Sequence, residues 1–382
     1  QPHRRHDALM PRGARAVAAT LLAVMLEADR VELPRVELCE PGSPEFLDCM
    51  NQKVFESSAL RDAHDKAMEA NPTFGDQSKL ARAAALYLSL VRDMRAAWSS
   101  EDGTITFKTQ GFKYFYYQAF DGISYCYDAM GMLEEAIPYF DELMHVDRCA
   151  MTSSANLTAY EKCSGVIFAK LITYSRHFGR PEVADMYFQR AKAVRFQGQQ
   201  VHLWEDSWQT PTWFTPGLTK RPIWTEHLDL APFLETHHRV IIQEFSDFLT
   251  DPRYYSAFGQ NDHFLITAGS WSEHKVFNGR SWSNACNDVL ASTCKLLQGR
   301  AEFNTLPAES SGVRGPLFLN EINLFRLSPG ARLKPHSGAS NAKLYCHLGL
   351  VTPAGSWLRV ADRPLLRWQA GRALCFDDSF EH

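Results

Sequence analysis

The residues with the clearest capacity for chemistry stand near the end of the chain: His336 in "KPHSGASNAKLYCHLGL" and His382 in "FDDSFEH". Side chains on a strand repeat with period two, so Lys343, Tyr345 and His347 share one face of a single strand. His336 sits just before that strand, behind Pro335, and His382 closes a later one. Histidines on distant strands can converge inside a small barrel. Converging neutral imidazoles are the start of a non-haem iron site, which a carboxylate or a bidentate cosubstrate completes. Asp377 and Asp378 are candidates to orient such a site from outside it, and a turn at the strand end is the other reading of this pair. Ser379 beside a histidine has the residue types of a nucleophile, but no Gly-x-Ser-x-Gly elbow accompanies it, which argues against a hydrolase.

These residues need a sheet to hold them. Beyond Phe264 the sequence breaks into short alternating runs, "LNEINLFRL", "KLYCHLGLV", "WLRVAD" and "RALCFDD", separated by Gly and Pro, the spacing of a β-sandwich or jelly roll. A helix is expected at "FLETHHRVIIQEFSDFL", with His237 and His238 on its solvated face. The Trp-, Pro- and Thr-rich stretch around Gly198 to Trp213 marks a boundary. Upstream, from Glu56 to Gln200, apolar residues recur at three and four positions, a helical pattern. Within it "AMGMLEEAIPYFDEL" and "HFGRPEVADMYFQRA" align at a constant offset of 48, matching Gly131 with Gly179, Ala136 with Ala184, and Tyr139-Phe140 with Tyr187-Phe188. Such a repeat predicts stacked helix pairs and resembles tetratricopeptide repeats, whose usual period is about 34, with the linker from Cys149 absorbing the excess. The expected fold class is therefore α+β, an all-α helical-repeat region over 56–200 followed by a β domain over 211–382.

A chain of 382 residues, 45 % hydrophobic and 22 % charged, can bury two ordinary cores. Its net charge of −4 and lack of a long basic block argue against nucleic acid or a polybasic membrane contact as its main partner. From Met10, two arginines precede an apolar run, Ala16 to Leu26, and a small residue follows at Ala28, the layout of a secretory signal over 10–28. That run is shorter than the roughly 20 residues a membrane-spanning helix needs. Nine cysteines suit an oxidising compartment. Cys286 and Cys294 are near enough to close a small loop as a disulfide, and no CxxC points to a zinc ribbon. Asn156, in "NLT", is a glycosylation acceptor by sequence, whereas the proline of "NPT" excludes Asn71.

Taken together, "PHSGASNAKLYCHLGLVTPAG" and "WQAGRALCFDDSFEH" resemble the catalytic core of the aspartyl/asparaginyl β-hydroxylases, which are Fe(II)- and 2-oxoglutarate-dependent oxygenases. The resemblance runs upstream through the Cys286/Cys294 loop to "TPGLTKRPIW". It implies a double-stranded β-helix (jelly-roll, cupin-like) oxygenase domain behind a tetratricopeptide-like region, in the lumen of the secretory pathway, with the endoplasmic reticulum expected. It further implies that His336 and His382 hold Fe(II), that His347 touches 2-oxoglutarate, and that no other residue is catalytic beyond the metal ligands. The reaction implied couples O2 and decarboxylation of 2-oxoglutarate to hydroxylation of Asp or Asn in a protein or peptide substrate. Gly338, two positions after the first histidine, stands where the wider superfamily has an aspartate, and this family shares the glycine.

The chain also departs from the family pattern. Tyr345 stands where an arginine is usual, leaving Lys343 on the same face as the candidate cation for the cosubstrate, although a lysine offers no bidentate fork. Phe325 replaces a serine. The arginine expected about ten residues past the second histidine would fall beyond His382, so the domain is expected to continue past the end of this sequence. These departures motivate an alternative reading: a helical-repeat binding protein whose oxygenase-like domain does not turn over.

Overall fold

The structure, a computed structural model, describes residues 33–41, 43–70, 77–98, 110–145, 149–150, 156–201, 203–226, 228–255, 258–260, 265–303 and 320–382. The segment 10–28, read above as a secretion signal, and Asn71 lie outside the described residues. The chain forms two compact units, Gln1–Asp65 with Asp76–Val146, and Lys66–Gly75 with Asp147–His382.

The first unit is helical: α1 (Phe46–Ala70), α2 (Gln77–Trp98), α3 (Gln110–Ala129) and α4 (Leu133–His145). Leu80, Ala83, Ala84, Tyr87, Leu90, Val91 and Met94 are all buried, and their spacing of three and four is the apolar stripe that packs α2 on α3. Tyr87 lies directly over Gly122 of α3, where any Cβ would overlap its ring. The glycine lets the two helices approach closely. Gly122→Ala is therefore expected to cost about 2 kcal/mol through overpacking of a fully buried ring, measured as a lower midpoint in chemical denaturation followed by circular dichroism. A buried ion pair, Lys53 to Asp93 at 2.6 Å, joins α1 to α2, and Asp93 also accepts from the backbone of Cys39 at 2.9 Å. Cys39 is in turn linked to Cys49 by a disulfide.

In the second unit α5 (Leu157–His177) packs on α6 (Pro181–Ala193). The repeat read from sequence has a hydrogen-bonded counterpart within each unit. Gly131 and Gly179 both adopt positive φ, 75° and 71°, at a helix end. The next backbone N–H reaches back to close the turn in both places, Met132 to Tyr127 at 2.8 Å and Arg180 to Ser175 at 2.9 Å. This is the Schellman geometry that glycine permits and other residues resist. Ala136 and Ala184 are each fully buried one turn into the following helix.

After α6 a tight hairpin, β1 (Arg195–Phe196) with β2 (Gln199–Gln200), turns through Gln197 and Gly198, both at positive φ. The rest is a set of small antiparallel sheets flanked by a long helix. β10 (Ala373–Phe376) pairs with β3 (Ile223–Trp224) on one side and β9 (Tyr345–Leu348) on the other. β6 (Trp271–Phe277) lies between β4 (Gly259–Gln260) and β7 (Ile322–Leu327), and β5 (Ile266–Ala268) pairs with β8 (Arg332–Leu333). Helix α7 (Leu230–Thr250) covers β9 and β10, placing Leu234 and Ile241 against Cys346, Leu348 and Leu350. The expected strand at "WLRVAD" is reduced to one bridge, Leu358 to Leu366, because the chain turns back at Ala361, whose φ is 52°. His237 and His238 are half-buried rather than solvated, their Nδ1 atoms 2.8 Å from the carbonyls of Phe233 and Glu235.

Cys286 and Cys294 are joined, closing the loop into helix α8 (Ala291–Gln298), whose Cys294 is buried with Phe248, Val276 and Leu290. Three disulfides escaped the sequence reading, Cys39–Cys49 and, in this second unit, Cys149–Cys163 and Cys346–Cys375. With Cys286–Cys294, eight of the nine cysteines are paired, and Cys126 is the remaining, buried thiol. Disulfides in this number suit an oxidising, secretory-type environment. Among the described residues no helix is long and apolar enough to cross a membrane.

Candidate metal centre

The backbone brings His336 and His382 together. Each donates its N–H to the other's carbonyl, at 3.1 and 2.9 Å, so the two face one another as a hydrogen-bonded antiparallel pair. Their ring centroids are 4.2 Å apart. Each Nδ1 lies 2.9 Å from a backbone carbonyl two residues upstream, Lys334 for His336 and Phe380 for His382. A carbonyl only accepts, so each Nδ1 carries the proton and each Nε2 keeps its lone pair. Burial lowers His336 to about 4, and burial together with His336 lowers His382 to about 3, so both rings are neutral at physiological pH. Two neutral, carbonyl-oriented imidazoles form a donor set that suits a borderline divalent ion such as Fe(II).

The segment "FDDSFEH" is held along its length. Asp377 donates its N–H to Pro222, Glu381 to Trp208, and Gly338 donates to Asp378 at 2.6 Å. Asp377 makes the turn: its Oδ1 accepts from the backbone and hydroxyl of Ser379 at 3.0 and 2.5 Å, while Gln209 donates to Asp377 and Ser379 from the far side. Burial pushes Asp377 up to about 6. Asp378 points the other way, into the space a side chain at position 338 would occupy. Burial raises its carboxyl to about 7 against the pull of Lys343, and Oδ1 is buried without a hydrogen-bond partner among the described residues. Among those residues no three His, Cys, Asp or Glu side chains converge as a metal cluster. Asp378 thus presents one unpartnered oxygen, Oδ1, next to Gly338, while Oδ2 faces Lys343.

Tyr345 and His347 occupy one face of β9, and Cys346 the other, where it meets its register partner Cys375. His347 stands among aromatic rings: Phe376 at 5.1 Å, Tyr345 at 5.9 Å, Trp368 at 6.1 Å and Phe325 at 6.3 Å between centroids. Burial, with His382 adding to it, lowers His347 to about 4. Lys343 places Nζ 3.2 Å from the Tyr345 hydroxyl and 3.6 Å from Asp378 Oδ2. Burial works against its charge, but the facing Asp378 and Tyr345 outweigh it and its pKa is raised.

One clamp was not legible from motifs. Glu381, fully buried, is bound by Arg176 of α5 at 2.6 Å and by Arg359 at 2.7 Å, and Arg176 also lies 3.7 Å from the centroid of Trp208. The residue next to His382 is thereby tied to a helix far upstream in sequence. The available signal was the charge itself: a glutamate between Phe380 and a buried histidine requires a cation, although sequence does not say which. Arg176→Met is expected to cost about 2 kcal/mol by removing one of the two arginines that face Glu381. Glu381→Gln in the same chain should recover part of that loss, read from urea unfolding of both variants.

Residues 235–382, which contain this arrangement, match the family model described as Aspartyl/Asparaginyl beta-hydroxylase. The family match thus lies in the C-terminal part of the chain, over residues 235–382. It is 32 % identical over 181 residues to the aspartyl/asparaginyl beta-hydroxylase of Mus musculus, a match covering 46 % of this chain and 22 % of that protein. The Homo sapiens protein of the same name matches to the same extent. Aspartate beta-hydroxylase domain-containing protein 2 of Mus musculus is 50 % identical over 239 residues, covering 61 % of this chain and 64 % of that relative. The chain therefore spans about a fifth of the first two relatives and under two thirds of the third.

Proposed function

We propose that this protein is an Fe(II)- and 2-oxoglutarate-dependent hydroxylase of aspartyl or asparaginyl residues in secretory-pathway proteins. The observation that carries the reading is the His336/His382 pair, half-buried, neutral and held face to face with each Nδ1 turned to a backbone carbonyl, inside the segment that matches this family. In this reading residues 211–382 are a jelly-roll oxygenase domain, residues 56–200 a helical-repeat region that presents the substrate, residues 10–28 a secretion signal, and the endoplasmic reticulum lumen the working compartment. The eight paired cysteines support that compartment.

The iron, when bound, supplies the activation of O2 that hydroxylation of an unactivated carbon requires. The chain's own groups do the rest. His336 and His382 offer Nε2 and are kept from rotating by their Nδ1 hydrogen bonds. Phe325, Tyr345, Trp368 and Phe376 around His347 exclude water from the site. His347 and Lys343 are the groups for the cosubstrate, with Lys343 the nearby cation for a carboxylate. Asp378, raised towards neutrality, can accept a hydrogen bond from a water held between it and the imidazoles. The test is release of succinate from 2-oxoglutarate by the natural full-length protein, dependent on Fe(II) and on an Asp- or Asn-bearing peptide, with the peptide gaining one oxygen. Absence of both products with correctly folded, iron-loaded protein would sink the enzyme reading.

One observation favours a second reading, a binding protein without turnover. Lys343 is already engaged by Asp378 and Tyr345, and the Phe325 ring faces His347 where a polar residue would serve a carboxylate better. In that reading the protein still binds its peptide, while 2-oxoglutarate is not consumed.

A further inference from the structure

We propose that Asn156 carries an N-linked glycan, attached where α5 begins. Asn156-Leu157-Thr158 is the one Asn-x-Ser/Thr triplet in the chain whose middle residue is not proline. A triplet alone is a weak signal, and the structure adds two independent observations. The first is local geometry. Asn156 is the N-cap of α5, in an extended conformation with φ −93° and ψ 106°, and its Oδ1 accepts from the backbone of Ala159 at 3.2 Å. Asn156, Thr158 and Ala159 are exposed, and Nδ2 makes no hydrogen bond among the described residues. The carbonyl half of the amide caps the helix, and the amine half, the half a glycan uses, is left to solvent. The second is the compartment. Cys163, within α5, is paired with Cys149, so this segment matures where disulfides form, which in a eukaryotic cell is also where N-linked glycans are transferred.

The chemistry is compatible with the fold. The donor is a polyisoprenyl-diphosphate-linked oligosaccharide. A bond forms between Asn156 Nδ2 and the sugar C1, the C1–O bond to the diphosphate breaks, the polyisoprenyl diphosphate leaves, and one amide proton passes to the transferase. No electron transfer is involved. Oδ1 remains a carbonyl acceptor in the product, so the bond from Ala159 survives and α5 keeps its cap. Most residues that cap a helix by side chain could not be modified without losing the cap; here the two roles fall on different atoms of one amide.

The test uses the natural full-length protein purified from eukaryotic cells. Treatment with peptide N-glycosidase should remove a single step of electrophoretic mobility and convert Asn156 to aspartate, seen by mass spectrometry of the peptide spanning it. Aspartate caps a helix as well as asparagine does, so deglycosylation should leave the unfolding midpoint set by α5 unchanged. Thr158→Ala should abolish the mobility step while preserving the cap, and Thr158→Ser should retain it. Disulfide-bonded protein with an unmodified Asn156 peptide would overturn the proposal, as would a step that persists in Thr158→Ala. Recovery of the natural protein with free thiols and a bare Asn156 would overturn it too, by removing the compartment on which it rests.

Discussion

Alanine at His336 or at His382 is expected to weaken binding of Mn(II), standing in for Fe(II), by more than about 100-fold, and to abolish turnover of 2-oxoglutarate. Loss of a group that only orients a ligand costs about 10–100-fold in metal affinity, and in the proposed function these two side chains are the ligands. Among the described residues no further His, Cys, Asp or Glu joins the pair in a cluster that could compensate. The effect should be symmetric. The backbone exchange between the two residues and the Nδ1 bonds to Lys334 and Phe380 give each ring the same kind of support. His347→Ala serves as the control: it lies in the same aromatic enclosure, so it should raise the concentration of 2-oxoglutarate needed while changing Mn(II) affinity much less. Calorimetric titration with Mn(II), with circular dichroism to verify folding, distinguishes these outcomes. Mn(II) affinity retained in either alanine variant would remove that residue from the ligand set.

Sequence anticipated the meeting of His336 and His382 but not the contacts that hold them there, and particular residues show why. The convergence of His336 and His382 is legible because the motifs around them are distinctive. The helical repeat is legible for the same reason: Gly131 and Gly179 each occupy a positive-φ position that other residues tolerate poorly. The clamp of Glu381 by Arg176 and Arg359 was hidden because a charge states only that a partner exists, and the partner lies far away along the chain. The Cys346–Cys375 bridge was hidden because pairing depends on strand register, which places these residues opposite one another only once β9 and β10 are aligned. The strand expected at "WLRVAD" failed because alternation describes a half-buried surface but does not detect a left-handed residue such as Ala361.

Gly338→Asp, which by residue type alone would add a carboxylate beside the candidate metal site, is instead expected to destabilise the protein by about 4 kcal/mol and to add no ligand. The space is taken. A Cβ at position 338 would overlap the carboxylate of Asp378, and that carboxylate is held by its own backbone's bond from Gly338 and by Lys343 on its far side. Overpacking of this kind costs about 1–3 kcal/mol. The added carboxylate would also meet a buried one whose pKa already stands at about 7, and two buried carboxylates in contact cannot both ionise without a further penalty. Gly338→Ala isolates the steric part and should cost about 2 kcal/mol. Gly338→Asp combined with Asp378→Gly removes the overlap and exchanges which of the two positions carries the carboxylate, so it should recover most of the loss. It is also the variant in which the new side chain has room to turn towards the imidazoles, where Mn(II) affinity should equal or exceed that of the parent. Denaturant unfolding across the four variants of this cycle, in the presence of a chelator, measures the coupling directly. If Gly338→Asp alone were as stable as the parent and bound Mn(II) more tightly, Asp378 would have to be free to leave its position, and the glycine would be a matter of ligand chemistry rather than of space.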